Sequence, residues 1–248
     1  YVEPRLASST TACTLSARLH CFGISEARLG ETIADLMTRG RNPLVGTTAS
    51  KAILTIRILA TAPDASAAQR LLDADRVEIR RRVGSAIFGE EDDTLQAAVA
   101  KLLIEHKKTV ATAESCTGGM LSQRLTDVPG SSAYFLHGYV VYSNESKTQL
   151  LHVPHDVISR HGAVSEEVAR LLAENARNAA GSDYALSITG VAGPGGGSPE
   201  KPVGLVYIGL ADDRSVEVRR ALLGDHLTRD EIRDRACRMA LNRLRLRL

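Results

Sequence analysis

In the stretch ATAESCTGG, Ala111 to Gly119, an apolar run ends on Glu114, and a serine, a cysteine and Thr-Gly-Gly follow at once. Ser115 and Cys116 are both nucleophile types, and either needs a base to become reactive. Ser115 does not sit in G-x-S-x-G, and no histidine lies close by in sequence to serve it. A lysine can take the place of histidine if burial lowers its pKa, because desolvation disfavours the ammonium form. The segment GYVVYSNESK supplies Lys147 just after an apolar run, with Tyr142 upstream to relay a proton or orient the amine. Thr117, Gly118 and Gly119 open the next helix, where free N–H groups suit an oxyanion. The residues alone leave an ordinary alternative open: a helix-capping Ser115, a core Tyr142 and a solvated Lys147. Neighbours on an extended segment point to opposite sides, so Ser115 and Cys116 cannot both face one cleft. With no basic neighbour, Cys116 reads as a buried core thiol.

Two further features carry chemistry only in company. The loop VAGPGGGSPEKPVG, Val191 to Gly204, follows ITG and is neither a Walker A loop nor G-x-G-x-x-G leading into a helix. Its glycines, with Gly190 and Gly193 at its start, let backbone N–H groups approach a ligand, though a surface hairpin has the same composition. Arg229 stands at the start of the last helix, where free N–H groups and the helix dipole favour anions, and a guanidinium there can clamp a phosphate. A lone arginine at such a place is ordinarily a surface residue. The histidines are scattered without an H-E-x-x-H pair, and His152 and His155 are separated by a proline, so no metal site is expected.

The elements that must position these residues fall into two groups. LSARLHCFGI reads as a strand, and SEARLGETIADLMTRG as a helix capped by Ser25. PLVGTTAS and KAILTIRILAT read as a hairpin, and Ala65 to Val83 as an amphipathic helix with Leu71, Leu72, Val77 and Ile79 on its apolar side. This β-α-β-β-α unit resembles a KH-type module, but no G-x-x-G clamp for RNA is present. The acidic stretch GEEDDT marks the seam, which divides the chain into residues 1–90 and 91–248. Beyond it, helices and strands alternate: Leu95–His106, TVATAES, GGMLSQRLTDV, GYVVYSN as a buried strand, Ser165–Ala179, YALSITG, GLVYIGLAD, SVEVRRALL, and a last helix opened by the capping box Thr228 to Glu231. Such alternation predicts an α/β fold, a three-layer α/β/α sandwich, beside a smaller N-terminal α+β KH-like domain. Ligands in open α/β sheets sit beyond strand ends, where ATAESCTGG lies.

Composition narrows the partners. The chain has 248 residues, 44% of them hydrophobic, and a net charge of +2 from 31 basic and 29 acidic residues. That balance gives no electrostatic reason to expect a nucleic acid as partner. Four cysteines without a C-x-x-C pair read as reduced thiols in a cytoplasmic protein. No run reaches the ~18 apolar residues of a membrane span. The start, YVEPRLASST, lacks both an initiator Met and a signal-peptide layout, so an upstream segment is expected.

The segments AESCTGG, PGSSAYF (Pro129 to Phe135), YSNESK, HGAVSEEVA (His161 to Ala169) and ITGVAGPGGGSPEKPVG occur in one order. Together they resemble the C-terminal domain of the CinA family, the nicotinamide mononucleotide deamidases, and the match covers residues 95 to 248. The preceding ninety or so residues resemble, more loosely, the KH-like middle domain of full-length CinA proteins. The resemblance implies hydrolysis of the carboxamide of nicotinamide mononucleotide to nicotinate mononucleotide and ammonia, a recycling step for NAD, in a homodimer without cofactor. It implies Ser115 as nucleophile assisted by Lys147 and Tyr142, Ser132 as a further site residue near the nucleophile, and Arg229 on the phosphate. The family places that arginine directly after Gly-Asp, whereas GDHLTRDEIR inserts His226, Leu227 and Thr228. The upstream molybdopterin-binding-like domain of full-length members, linked to ADP-ribose pyrophosphatase activity, has no counterpart in these residues. The competing reading is a catalytically degenerate binding protein acting in competence or DNA damage.

Overall fold

A computed structural model describes residues 12–248, so the expectation for YVEPRLASST falls outside it. The chain divides into two compact units, one ending at Asp93 and one spanning Thr94–Leu248.

The first unit contains β1 (Cys13–Cys21), α1 (Glu26–Thr32), β2 (Leu44–Ser50), β3 (Ile53–Ala62), α2 (Ala65–Val83) and β4 (Ile87–Glu90). Its strands form an antiparallel sheet in the order β2-β3-β1-β4. Strand alternation aims Ala17, Leu19 and Cys21 of β1 and Leu54, Ile56, Ile58 and Ala60 of β3 at one face, where Leu29, Ile33, Leu72 and Ile79 cover them. Three expectations need correcting. The helix expected over Ser25 to Gly40 stops at Thr32, whose hydroxyl donates to the Arg28 carbonyl, although Ser25 caps it as expected. Leu71 and Val77 are exposed, and the buried stripe of α2 is Ala68, Leu72, Asp75, Ile79 and Val83. Finally, IFGE forms β4 and pairs with β1, a strand too short and too close to the acidic run to show alternation.

The second unit contains α3 (Leu95–Glu105), β5 (Val110–Glu114), α4 (Met120–Thr126), β6 (Phe135–Val140), α5 (Asn144–Leu151), α6 (His155–His161), α7 (Glu166–Ala180), β7 (Tyr184–Gly190), β8 (Leu205–Ala211), β9 (Val216–Leu222) and α8 (Arg229–Arg247). The sheet order is β6-β5-β7-β8-β9; β5 runs parallel to β6 and β7, and β8 and β9 are antiparallel additions. Helix α7 packs against β5, β7, β8 and β9, and α8 packs against β7, β8, α3 and α4. The unit is mixed α/β with helices on the sheet, and the central strands β5, β7 and β8 are almost wholly buried. GYVVYSN is not a buried strand: β6 ends at Val140 and is an edge strand with Leu136 and Val140 exposed. Among the described residues no helix is long and apolar enough to cross a membrane.

Candidate active site

Ser115 is the first residue past β5, in the middle of the parallel part of the sheet. Its N–H donates to the Ile188 carbonyl of β7 at 2.9 Å, which holds it in the ladder, while Val141 N–H donates to the Glu114 carbonyl at 2.8 Å from the β6 side. Ser115 is not the cap of the following helix. The N-cap of α4 is Gly119, at φ 96°, a left-handed conformation that glycine adopts freely, and it has no side-chain cap of its own. The capping carboxylate is that of Glu114, which accepts from Gly119 N at 3.1 Å, Leu121 N at 3.0 Å, Ser122 N at 2.7 Å and the Ser122 hydroxyl at 2.6 Å.

That capping corrects the expected oxyanion donors. Gly119 N–H is turned onto Glu114, and Gly118 N–H donates to the Ser115 carbonyl at 3.1 Å. The turn amides without a backbone acceptor are those of Cys116 and Thr117. Arg233 Nη2 donates to the Thr117 carbonyl at 2.8 Å and pins the turn from α8.

Lys147 lies on α5, capped by Ser143, and is a fully buried lysine at 1% exposure. Its Nζ donates to the carbonyls of Val141 at 2.9 Å, Tyr142 at 3.0 Å and Ser143 at 3.3 Å. Burial holds its pKa below the ordinary lysine value, against the opposing pull of Cys116 and Glu145. Cys116 is buried as well, and burial, helped by the Glu114 charge, pushes its thiol up to about 11 against the opposing effects of its own backbone N–H and of Arg229 and Arg233. A thiol held there is a poor nucleophile at neutral pH.

Tyr142 follows β6 and is 59% exposed, so it is no core tyrosine. Its phenol oxygen accepts from Arg229 Nη2 at 3.0 Å, and Arg229 Nη1 donates to the Gly193 carbonyl at 2.7 Å. Arg229 is therefore not a free surface arginine: the capping box Thr228–Glu231 fixes its helix start, and its guanidinium joins the glycine-rich loop to Tyr142. Gly193 takes φ 71°, and a Cβ there would stand 2.7 Å from Val203 Cγ1, so the close turn demands glycine. Gly190 ends β7, next to the strand end that leads to Ser115.

Ser132 is not brought to this cluster. It is exposed on a 3-10 turn before β6, and β5 and β6 run parallel, so it lies at the opposite end of the strands from Ser115. A five-residue strand separates the two ends by roughly 17 Å. Contiguity of motifs along the chain carries no information about which strand end each occupies. Sequence reasoning also passed over Glu114 and Arg233. A helix start of Thr-Gly-Gly without Asp, Asn or Ser at the cap signals a cap from elsewhere, and Glu114 is the nearest carboxylate in the sequence.

Comparison with known proteins identifies the class. Residues 92–248 match the family model of the CinA C-terminal domain, and residues 16–89 match that of the damage-inducible protein CinA KH domain. The chain belongs to the CinA family. It is 46% identical to a CinA-like protein of Synechococcus sp. over 94% of this chain and 55% of that protein. A CinA-like protein of Geobacter sp. is 46% identical over 97% of this chain and 57% of its own length. The chain thus spans little more than half of these curated relatives. Among solved structures, the competence/damage inducible protein CihA from Agrobacterium tumefaciens superposes with a TM-score of 0.59 at 38% identity, covering 60% of this chain and 91% of that one.

Proposed function

We propose that residues 91–248 form a nicotinamide mononucleotide deamidase, with residues 1–90 as a KH-like module. The observation that carries the reading is Lys147, fully buried, without an ion pair among the described residues, and near enough to Cys116, the neighbour of Ser115, to interact with it electrostatically. Burial lowers its pKa and so shifts it toward the neutral amine, a base, relative to an exposed lysine.

In the proposed reaction neutral Lys147 takes the Ser115 Oγ proton as Oγ bonds to the carboxamide carbon. The amides of Cys116 and Thr117 receive the oxyanion, each such donor being worth about 3 kcal/mol. On deprotonation Lys147 keeps two N–H groups for the nearer carbonyls of Val141 and Tyr142 and releases the longest contact, to Ser143. Lys147 then returns the proton to the departing ammonia, and water cleaves the acyl-enzyme by the reverse path. Tyr142, which accepts from Arg229, retains its own O–H to donate to the substrate. Arg229 and the loop at Gly190 and Gly193 hold the ribose and phosphate, so that remote binding energy orients the carboxamide. A cytoplasmic homodimer without cofactor belongs to the same proposal.

The test is ammonia release from nicotinamide mononucleotide by the native chain and by Ser115→Ala. Release that disappears in the variant supports the reading. No release from a folded native chain that still binds the nucleotide in calorimetry overturns it in favour of a binding role.

A further inference from the structure

Glu114 is a fully buried carboxylate with no step in the proposed chemistry. Among the described residues it has no cationic partner; its two oxygens are solvated instead by three backbone amides and the Ser122 hydroxyl, which Thr112 in turn holds at 2.7 Å. Four donors on one buried carboxylate fix its place closely. Its backbone is equally fixed, since it ends β5 between β6 and β7. The residue is thus rigid on both sides of Ser115: through the strand before it and through Gly119, Leu121 and Ser122 after it.

The arrangement divides the amides of the turn. Those of Gly119, Leu121 and Ser122 are drawn toward Glu114, and that of Gly118 folds back on Ser115. Arg233 and the Met120 N–H hold the Thr117 carbonyl, and the Gly118 N–H of the same peptide donates to Ser115, so the peptide plane between Thr117 and Gly118 has little freedom left. We infer that Glu114 is a positioning residue for the nucleophile: by gathering the later amides onto itself it sets the turn so that the Cys116 and Thr117 N–H groups converge beside Ser115 Oγ. The inference rests on Ser115 being the nucleophile and is independent of which amide is the substrate.

Glu114→Gln keeps the side-chain volume but turns an NH2 toward amide donors. Four quantities test it against the native chain: kcat and KM for ammonia release from nicotinamide mononucleotide, the rate at which a fluorophosphonate labels Ser115, and Tm. The expected result is a loss of about 100-fold in both kcat and labelling, the effect of misplacing one oxyanion donor, with KM nearly unchanged. A lowered Tm with kcat and labelling intact would make Glu114 a helix cap and nothing more, and overturns the inference. If Glu114→Gln does not fold, Ser122→Ala decides, because it removes one donor and leaves the carboxylate. A loss of about fivefold in both rates, the worth of one ordinary hydrogen bond, supports positioning, and unchanged rates overturn it. A native chain that labels at Ser115 without releasing ammonia removes only the substrate reading, and labelling rates still judge Glu114. A native chain that does not label at Ser115 removes the nucleophile, and this inference with it.

Discussion

Arg229 Nη2 donates to the phenol oxygen of Tyr142 at 3.0 Å while Nη1 of the same guanidinium donates to the Gly193 carbonyl at 2.7 Å. Three segments far apart in sequence, the end of β6, the glycine-rich loop and the start of α8, are thereby tied at one side chain. An arginine so held presents its remaining donors in a fixed direction, the condition for bidentate recognition of phosphate. Arg229→Ala should raise KM for nicotinamide mononucleotide by about 10–100-fold, the range of a charge-assisted hydrogen bond, and change kcat less. Nicotinamide riboside, which lacks the phosphate, should lose far less on the substitution than the mononucleotide does. An equal loss on the riboside would show that Arg229 serves the fold of the site and not the phosphate.

The neighbours Ser115 and Cys116 should separate cleanly. Ser115→Ala removes the attacking atom and should lower kcat by about 10³-fold or more. Cys116→Ala should leave kcat within about threefold and cost about 1 kcal/mol of stability, because the thiol only fills space. With its thiol raised to about 11, Cys116 should also resist iodoacetamide at pH 8 in the folded chain. Rapid alkylation accompanied by inactivation would reverse the assignment of the two residues.

How much of this was legible follows from what each pattern encodes. Strands β5, β7 and β8 stood out because burial on both faces makes an unbroken apolar run. Edge strand β6 has the same residue types as a buried one, and only the sheet order reveals its exposed side. Ser165 and Thr228 were readable as caps because they are local: each accepts from an amide three residues on. Glu114 was not, since it caps from the strand before the turn, a contact that exists only once β5 and α4 are folded together. Lys147, Tyr142 and Arg229 were visible as residue types, yet their burial and pairing depend on the fold: the sequence alone equally allowed a solvated lysine and a core tyrosine, the reverse of the exposures found.

Lys147 gives the site a pH signature. Burial lowers its folded pKa below the unfolded lysine value of ~10.4. Between those two values the unfolded chain binds the extra proton and the native chain does not, so stability rises with pH across that window; below it the cost of the buried ammonium is fully present. The free energy of unfolding of the native chain should therefore gain on that of Lys147→Met as pH rises through the window, as followed by urea denaturation. In the same range kcat/KM should climb to a plateau with an inflection below the ordinary lysine value. Lys147→Arg should be inactive throughout, because a guanidinium does not deprotonate there. A pH-independent kcat/KM, or an active Lys147→Arg, would remove the lysine as base.

In the first unit the sharpest stability prediction concerns Asp75, which is 5% exposed on the covered side of α2. Arg41 reaches both its carboxylate oxygens and also donates to the Pro43 carbonyl at 2.9 Å, linking the segment before β2 to α2. The pair itself gains little over an apolar contact, because both charges had to leave water. Removing one partner is different: it strands the other with its desolvation uncompensated. Asp75→Ala should accordingly destabilise the unit by roughly 2–3 kcal/mol, somewhat less than a wholly buried pair because Arg41 keeps some contact with water. The double variant Asp75→Leu, Arg41→Met should recover most of that loss. Urea denaturation followed by circular dichroism reads both, as a shift in midpoint at constant slope. If the double variant is as unstable as Asp75→Ala, the loss comes from packing along α2 and not from the stranded guanidinium.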